Sequence, residues 1–162
     1  MRPHAARQVP EKAWEVFVRI EQILEALPEK IEFPAFMFGV RLDSDVAVST
    51  GIPNCHVIAH ALARFLPVDA HDGFVLVTGP NGKGRRLEHS WLTLRDSDAS
   101  VIIDPWPLGV ATGPAIFIQD YAYHFGPECS FLAHKGEKFT VEVDALAAAI
   151  EAVTKESASR AA

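Results

Sequence analysis

The stretch FVLVTGPNGKGRRLEHSWLTLRD, residues 74–96, constrains the fold of this chain more than any other. Two of its segments, 74–79 and 86–95, combine apolar, β-branched and aromatic residues as strands do. The residues GPNGKG between them supply the glycines that a hairpin turn needs. DSDAS then indicates a second turn, and VIIDP predicts a third strand over 101–105. We therefore expect three consecutive antiparallel strands.

A helix is predicted just before these strands, in the stretch GIPNCHVIAHALARFLP. Asn54 is a good N-cap, because its side-chain oxygen can accept a hydrogen bond from an otherwise unpaired backbone N–H. Residues at helical spacing then share an apolar face, and Pro67 ends the helix. The members of this face are Cys55, Ile58, Ala59, Leu62 and Leu66. The sequence thus predicts an α+β fold, with a helix over 54–66 packed on an antiparallel sheet.

The N-terminal part is predicted to hold one further helix. Residues 1–9 are interpreted as a loose tail. EKAWEVFVRIEQILEAL, residues 11–27, repeats apolar residues at helical spacing and stops before Pro28. EFPAFMFGVRL, 32–42, favours a strand or an extended segment, and DSDVAVSTGIPN, 43–54, favours a polar loop.

The C-terminal part is predicted to alternate between short elements. AIFIQDYAYHF, residues 115–125, favours a short helix or a strand. KFTVEV, 138–143, is interpreted as a last strand. Asp144 is then expected to cap a helix over ALAAAIEAV, 145–153, and TKESASRAA, 154–162, to form a frayed tail.

Length and composition favour a single globular domain. The 162 residues are enough to bury a core without disulfides, and 49% hydrophobic with 22% charged residues is typical of globular chains. We expect one domain over 1–162, with an ordered core from about 10 to 155 and short flexible tails. Two cysteines, Cys55 and Cys129, allow no disulfide framework.

Charge and hydropathy exclude several classes of partner. A net charge of −6 disfavours a nucleic-acid surface, which requires an excess of basic residues. The sequence contains no run of eighteen apolar residues, so no membrane span is predicted. The N-terminus has no apolar segment typical of a secretory signal. We expect a cytoplasmic protein, or one exported by a specialised route that needs no signal, with neither nucleic acid nor membrane as a partner.

Cys55 would lie at the first position of its helix, where the macrodipole and free backbone N–H groups favour thiolate over thiol. The same N–H groups can face the oxyanion that forms when a nucleophile attacks a carbonyl. The position therefore suits a nucleophile. On position alone, however, a buried structural thiol is favoured over a nucleophile, because free cysteine is common in protein cores.

Two later residues favour the nucleophile. His89 lies on a predicted strand, on the same side as Leu87 and Trp91. Asp104 ends the next strand, after three apolar residues, where a carboxylate is costly to bury without a partner. If the register brings the two strands together, Asp104 can bond one nitrogen of His89 and leave the other facing the Cys55 sulfur.

The ordered set of a helix-opening Cys, EHSWLTL and IIDPWP resembles the transglutaminase-like branch of the papain-like cysteine superfamily. That branch has a Cys at a helix N-terminus, a His-x-Trp strand and an Asp-Pro strand end, in this chain order. The resemblance covers residues 50–107. It implies a papain-like fold with Cys55 as nucleophile, His89 as general base and then acid, and Asp104 as the residue that orients His89.

The chain departs from the branch at two positions. Asn54 precedes the cysteine, where many relatives have Gly or another small residue, and Ser90 replaces the Ala often found between His and Trp. No glutamine-containing signature lies upstream, so the second oxyanion donor has no candidate. The superfamily includes peptidases, amide-forming transferases, deamidases and inactive members, so the fold indicates the reaction better than the substrate.

Asn54, Trp91 and Trp106 are the candidate substrate-binding residues. Trp106 follows Asp104 in a loop that should border the site. Trp91 is interpreted either as a core residue or as the wall of a groove. Cys129 is interpreted as a structural thiol, and His71, His124 and His134 as loop or surface residues.

His56 and His60 have the i, i+4 spacing of two zinc ligands on one helix face. The sequence HVIAH lacks the glutamate of the hydrolytic His-Glu-x-x-His motif. Both residues lie beside the apolar face of the helix. A solvated or interfacial pair is therefore favoured over a metal site, and no metal is expected.

The favoured function is a cysteine-dependent acyl-transfer enzyme that hydrolyses, deamidates or transamidates an amide without a cofactor. Its expected substrate is a peptide or protein amide, or a small amide. One alternative is a non-catalytic protein of the same fold that binds a partner through an aromatic rim including Trp106. The weaker alternative is a metal hydrolase that uses His56 and His60.

Overall fold

The structure is a computed structural model that describes residues 9–37, 40–42, 47–50, 54–97, 100–106, 113–118, 123–125 and 136–161. These residues form helices and strands named here in chain order. The helices are α1 (Glu11–Ala26), α2 (Cys55–Leu62) and α3 (Glu137–Ala161). The strands are β1 (Ile31–Pro34), β2 (Phe36–Met37), β3 (Val40–Arg41), β4 (Ala47–Thr50), β5 (Val68–Thr78), β6 (Gly84–Leu94), β7 (Val101–Asp104), β8 (Ala115–Ile118) and β9 (Tyr123–Phe125). Within the described parts, no helix is both long and apolar enough to cross a membrane.

The predicted hairpin is present as β5 and β6, which pair without interruption from Val68↔Leu94 to Thr78↔Gly84. Its turn contains Gly82 at a φ of 72°, in the left-handed region that glycine adopts readily. Both strands are longer than predicted. In particular, β5 begins directly after Pro67, at Val68, whereas the predicted strand begins at residue 74.

The hairpin is the centre of a five-stranded antiparallel sheet with the order β8-β7-β6-β5-β9. The predicted third strand is β7, which pairs with β6 at Leu92↔Ile103. β8 extends the sheet beyond β7, and β9 pairs with the other edge, on β5. The segment 115–125, for which a helix or a strand was predicted, therefore contributes two strands, one at each edge.

The predicted helix after Asn54 is present as α2. The Asn54 side chain accepts a hydrogen bond from the backbone N–H of Val57 at 3.1 Å, which confirms the expected cap. Regular α-helix ends at Leu62, and turn residues continue to Leu66 before Pro67. The apolar face of α2 joins side chains of β6 in one buried cluster, so the fold is α+β with a helix packed on an antiparallel sheet.

The helix predicted over 11–27 is present as α1, which ends at Ala26. Its buried side chains recur at helical spacing and face the common core; they are Ala13, Val16, Phe17, Ile20 and Ile23. β1 and the β2–β3 pair follow, in agreement with the extended segment predicted there. The predicted loop over 43–54 is wrong in part, because Ala47–Thr50 form β4, paired with β1.

The C-terminal prediction of a strand, a cap at Asp144 and a frayed tail is wrong. Residues 137–161 form one continuous helix, α3, and Asp144 lies inside it. The β-branched residues of KFTVEV favour a strand locally, but Val143, Leu146 and Ile150 bury a helical face in the core. Tertiary packing therefore overrides local propensity. Of the tail predicted over 1–9, residues 1–8 lie outside the described residues.

Candidate functional site

Cys55 is the first residue of α2, as predicted, and 7% of its surface is exposed. The first intrahelical hydrogen bond in this turn is donated by Ile58 to the Asn54 carbonyl. The backbone N–H groups of Cys55 and His56 precede that donor and point along the positive end of the helix. The sulfur therefore lies where negative charge is stabilised.

His89 and Asp104 lie on adjacent strands, β6 and β7, and neither side chain has any exposed surface. Their contact, expected from the sequence, is present: Nε2 of His89 and Oδ2 of Asp104 are 2.7 Å apart. A carboxylate only accepts, so the proton of this bond is on Nε2. The other ring nitrogen, Nδ1, is buried and makes no well-aligned hydrogen bond within the described residues, so it is the atom left for the sulfur.

Asp104 accepts hydrogen bonds from two further groups. The hydroxyl of Tyr123 donates to Oδ2 at 2.7 Å, and the backbone N–H of Trp106 donates to Oδ1 at 3.0 Å. Three donors therefore compensate a carboxylate that would be very costly to bury alone. Tyr123 was not found from the sequence, because it lies on β9, far along the chain.

The two central groups have pKa shifts of opposite sign. Burial alone raises the pKa of the Cys55 thiol, but interactions with the imidazoles of His56 and His89 outweigh it and lower this pKa from 9.0 to about 6. Burial alone lowers the pKa of His89, but Asp104 and Cys55 raise it from 6.5 to about 9. Between these values, the site favours a thiolate beside an imidazolium.

Trp91 is a core residue in the structure and not the wall of a groove, which was the other role predicted for it. Its side chain is fully buried, so it offers no surface to a substrate and is a packing residue. It lies edge-on to Tyr123, with ring centroids 5.2 Å apart, and 6.3 Å from the His89 ring. Trp91 therefore supports the residues that hold the site.

The other two candidate substrate contacts are exposed. Asn54 caps α2 directly before Cys55. The Trp106 side chain is 45% exposed, while its backbone N–H is fixed to Asp104. Both residues are thus attached to the site and still accessible to a ligand.

Of the two alternatives predicted for His56 and His60, solvated or interfacial, His56 is interfacial, because it is buried between α2 and Ser90 of β6. His60 is half-buried and bonds Asp72 of β5. The two rings thus have different partners. The described residues contain no group of three or more His, Cys, Asp or Glu side chains that could hold a metal ion.

The remaining histidines are divided between strands and undescribed segments. His71 lies on β5 and bonds the Thr93 hydroxyl, and His124 lies on β9 and stacks on Phe74. Neither is the loop residue expected from the sequence. Cys129 and His134 lie outside the described residues.

The arrangement can generate a nucleophilic thiolate and supply a proton next to it, because the imidazole of His89 lies between a carboxylate and a thiol. Such a pair suits the attack on a carbonyl carbon and the protonation of a leaving amine. The chain matches no protein-family model, no curated protein and no solved structure.

Proposed function

We propose that the protein is a cysteine-dependent acyl-transfer enzyme with Cys55, His89 and Asp104 as its triad. The observation that carries the proposal is the Asp104–His89 bond at 2.7 Å, together with the interaction between His89 and the Cys55 thiol. A structural histidine needs neither a buried carboxylate on one nitrogen nor a thiol with a lowered pKa beside it.

The reaction begins when the Cys55 thiolate attacks the carbonyl carbon of the substrate. A carbon–sulfur bond forms, and the π electrons of the carbonyl move to its oxygen. When the tetrahedral intermediate collapses, the carbon–nitrogen bond breaks and His89 gives its Nδ1 proton to the leaving amine. The acyl group stays on Cys55 as a thioester.

The second half returns the enzyme to its first state. His89, now neutral, takes a proton from an incoming water or amine as that molecule attacks the thioester carbon. The carbon–sulfur bond then breaks, so that Cys55 leaves as a thiolate beside the protonated His89. Water gives hydrolysis or deamidation, and an amine gives transamidation. Asp104 keeps the proton of His89 on Nε2 throughout, so that Nδ1 alternates between donor and acceptor.

The backbone N–H of Cys55 is the first donor for the oxyanion of the tetrahedral intermediate. It precedes the intrahelical hydrogen bonds of α2 and lies at the positive end of this helix. Removing one such donor in other hydrolytic enzymes costs roughly 10²- to 10³-fold in turnover. The helix start thus supplies both the thiolate and part of the oxyanion site.

The chain order of Cys, His and Asp and the α+β layout support the likeness to the transglutaminase-like branch of the papain-like superfamily. We include that fold in the proposal. The substrate class is a peptide or protein amide, or a small amide. Asn54 and the exposed ring of Trp106 are the proposed substrate contacts.

The first test is selective alkylation by iodoacetamide at pH 6, with the modified cysteine located by peptide mass spectrometry. A pKa of about 6 makes half of the Cys55 thiols ionised at this pH. A thiolate with a lowered pKa is also a weaker nucleophile, which offsets part of the gain in ionised thiol. We therefore expect Cys55 to be alkylated on the order of tenfold faster than in the urea-unfolded chain. His89→Gln should remove this advantage.

The second test is acyl-enzyme formation. Incubation with p-nitrophenyl acetate should release p-nitrophenol and leave one acetyl group on Cys55, detected by intact mass. Cys55→Ala should form no adduct there and keep its fold, because alanine fits the first turn of a helix. The proposal would be overturned if Cys55 gained no acetyl group and was also alkylated no faster than in the unfolded chain. These results would favour a binding protein.

A further inference from the structure

Asp104 receives one hydrogen bond more than the triad requires. His89 already donates to Oδ2 at 2.7 Å, and the backbone N–H of Trp106 donates to Oδ1 at 3.0 Å. The hydroxyl of Tyr123 is a third donor, and it also binds Oδ2, at 2.7 Å. Tyr123 therefore shares the one carboxylate oxygen that holds His89.

The Tyr123 ring reaches this oxygen across the sheet. Asp104 lies on β7 and Tyr123 on β9, with β6 and β5 between them. Gly73 of β5 carries no side chain, and Trp91 fills the space over it, because a Cβ there would lie 2.6 Å from Cη2 of Trp91. The Tyr123 ring lies edge-on to Trp91, with centroids 5.2 Å apart, and 5.0 Å from the ring of Phe117 on β8. These two rings hold the phenol in place.

The direction of both bonds to Oδ2 follows from the chemistry of the groups. A carboxylate only accepts, so the hydroxyl hydrogen of Tyr123 and the Nε2 proton of His89 both point at this oxygen. A hydrogen bond to the charged form of a carboxylate stabilises that form and makes it less basic. Oδ2 is therefore a weaker acceptor for His89 than it would be without the hydroxyl.

We propose that Tyr123 is a positioning residue that, through Asp104, limits how firmly His89 holds its proton. The catalytic consequence rests on the proposed function, in which His89 gives a proton to the leaving amine. A carboxylate that bound only His89 through Oδ2 would stabilise the imidazolium further and make it a weaker acid. Tyr123 thus keeps His89 able to release its proton.

The bond to Asp104 is more than packing requires. Phenylalanine would make the same contacts with Trp91 and Phe117, so the ring contacts do not need the hydroxyl. The distance of 2.7 Å is that of a charge-assisted bond from a hydroxyl to a carboxylate. This bond is made to the oxygen that binds His89 and not to the other one.

The other titratable groups near this bond stay the same in the variants compared below. Helix α2 contributes Cys55 and His56, which interact with each other. Strand β5 contributes His71, which bonds a hydroxyl of β6, and β9 contributes His124, which stacks on an aromatic ring of β5. Strand β8 and the buried face of α1 contribute none. The titration of these groups is therefore common to all the variants.

The test measures the titration of the His89 ring by NMR, in the wild type and in Tyr123→Phe. The His89 signal is identified by its loss in His89→Gln. In the wild type we expect the midpoint at about pH 9. In Tyr123→Phe it should rise by about 0.5–1 pH unit, the equivalent of one hydrogen bond. The alkaline limb of acyl transfer should move by the same amount.

The matched control is Thr93→Val. It removes another hydroxyl from a buried residue of β6, but one that is bonded to His71 at 2.7 Å and not to Asp104. The midpoint of His89 in this variant should equal that of the wild type.

A second measurement keeps the ring and the bond, so it does not depend on the folding of Tyr123→Phe. In Tyr121→Phe, incorporated 3-fluorotyrosine replaces Tyr123 alone. The fluorinated phenol is more acidic and therefore a stronger donor to Asp104. The His89 midpoint should fall below that of unlabelled Tyr121→Phe, and an unchanged midpoint would contradict the inference.

The outcomes separate this inference from the proposed function. A higher His89 midpoint in Tyr123→Phe that is absent from Thr93→Val supports the inference. An equal or lower midpoint in Tyr123→Phe, or the same rise in both variants, would overturn it. Wild-type protein that gains no acetyl group on Cys55 would overturn the proposed function, and the His89 midpoints would still decide the effect of Tyr123.

Discussion

The β5–β6 hairpin is continuous in its backbone pairing, yet its two halves lie in different environments. The inner half, residues 68–73 and 89–94, is covered by α2 and carries His89, Ser90 and Trp91. In this half every β6 residue is buried. The outer half, residues 74–78 and 84–88, has mostly exposed side chains on β6.

The difference shows that strand pairing alone does not build the site. Both halves make the same ladder of hydrogen bonds, but the inner half also packs on a helix and lies beside β7, whereas β9 pairs with residues 73–75, where the two halves meet. Removal from water strengthens the electrostatic interactions there and makes each polar partner necessary. Changes in the inner half should therefore have larger effects than matched changes in the outer half.

The largest effect is expected for Gly73→Ala. A Cβ at this position would lie 2.6 Å from Cη2 of Trp91 and even closer to the backbone oxygen of His124. The strand β9 would have to shift, and overpacking of this kind costs about 3 kcal/mol. Urea unfolding should show this loss of stability.

Gly84→Ala is the matched control in the outer half. A Cβ at Gly84 meets no atom within 4 Å. We expect a change within about 0.5 kcal/mol, or a small gain from the reduced freedom of the unfolded chain. Equal losses for the two variants would contradict the distinction between the halves.

The second prediction compares two carboxylates, Asp104 beside the inner half and Glu88 in the outer half. Asn at position 104 must place its N–H₂ either at the Oδ1 position, facing the backbone N–H of Trp106, or at the Oδ2 position, facing both His89 and Tyr123, so one or two of the three bonds are lost. If the amide faces His89, it holds the proton on Nδ1, the wrong tautomer for a base. Turnover of p-nitrophenyl acetate should fall by roughly 10²- to 10⁴-fold.

Glu88→Gln removes a negative charge one residue from His89, but from an exposed side chain. Turnover should stay within about twofold of the wild type, because solvent screens this charge. Asp104→Asn should also lose about 1–3 kcal/mol in urea unfolding. Comparable turnover in the two variants would show that the Asp104–His89 bond is structural only.

The third prediction concerns pH. The Cys55 thiol has a pKa lowered to about 6, so thiolate forms as the pH rises through this value. His89 has a pKa raised to about 9, so its imidazolium is lost as the pH rises through that value. Acyl transfer, which needs both, should rise near pH 6 and fall near pH 9, as a bell-shaped rate profile. A single limb at the ordinary thiol pKa, about 8.5–9, would contradict the ion pair.

The smallest effect is expected at Arg86, in the outer half. Its guanidinium lies 3.8 Å from the centre of the Phe74 ring. An exposed interaction of this kind contributes about 0.5–1 kcal/mol, which Arg86→Ala should remove. The pH profile of Cys55 alkylation should be unchanged, and a shift of its midpoint would show that the outer half also tunes the site.

Features set by local chemistry could be predicted from the sequence. The hairpin turn was predicted from its glycines, and the start of α2 from the Asn54 side chain. The contact between His89 and Asp104 was predicted because an acidic residue follows an apolar run. Each of these involves residues close in the chain or on adjacent strands. The coarse α+β arrangement follows from them.

Features that depend on register or distant pairing could not be predicted. Ser90 lies opposite Asp72 because β5 begins at Val68, whereas a strand beginning at residue 74 leaves Asp72 in a loop. Tyr123 reaches Asp104 only because β9 pairs with the far edge of β5. No local signal distinguishes Tyr123 from Tyr121, two residues earlier in the same segment.

The hydrogen bonds of Asp104 join it to strands that lie on both sides of it in the chain. His89 precedes Asp104 by 15 residues and Tyr123 follows it by 19, so the carboxylate is fully bonded only after β9 has joined the sheet. Under the proposed function, the support behind His89 is therefore complete only when both strands that flank the hairpin, β7 and β9, are in place.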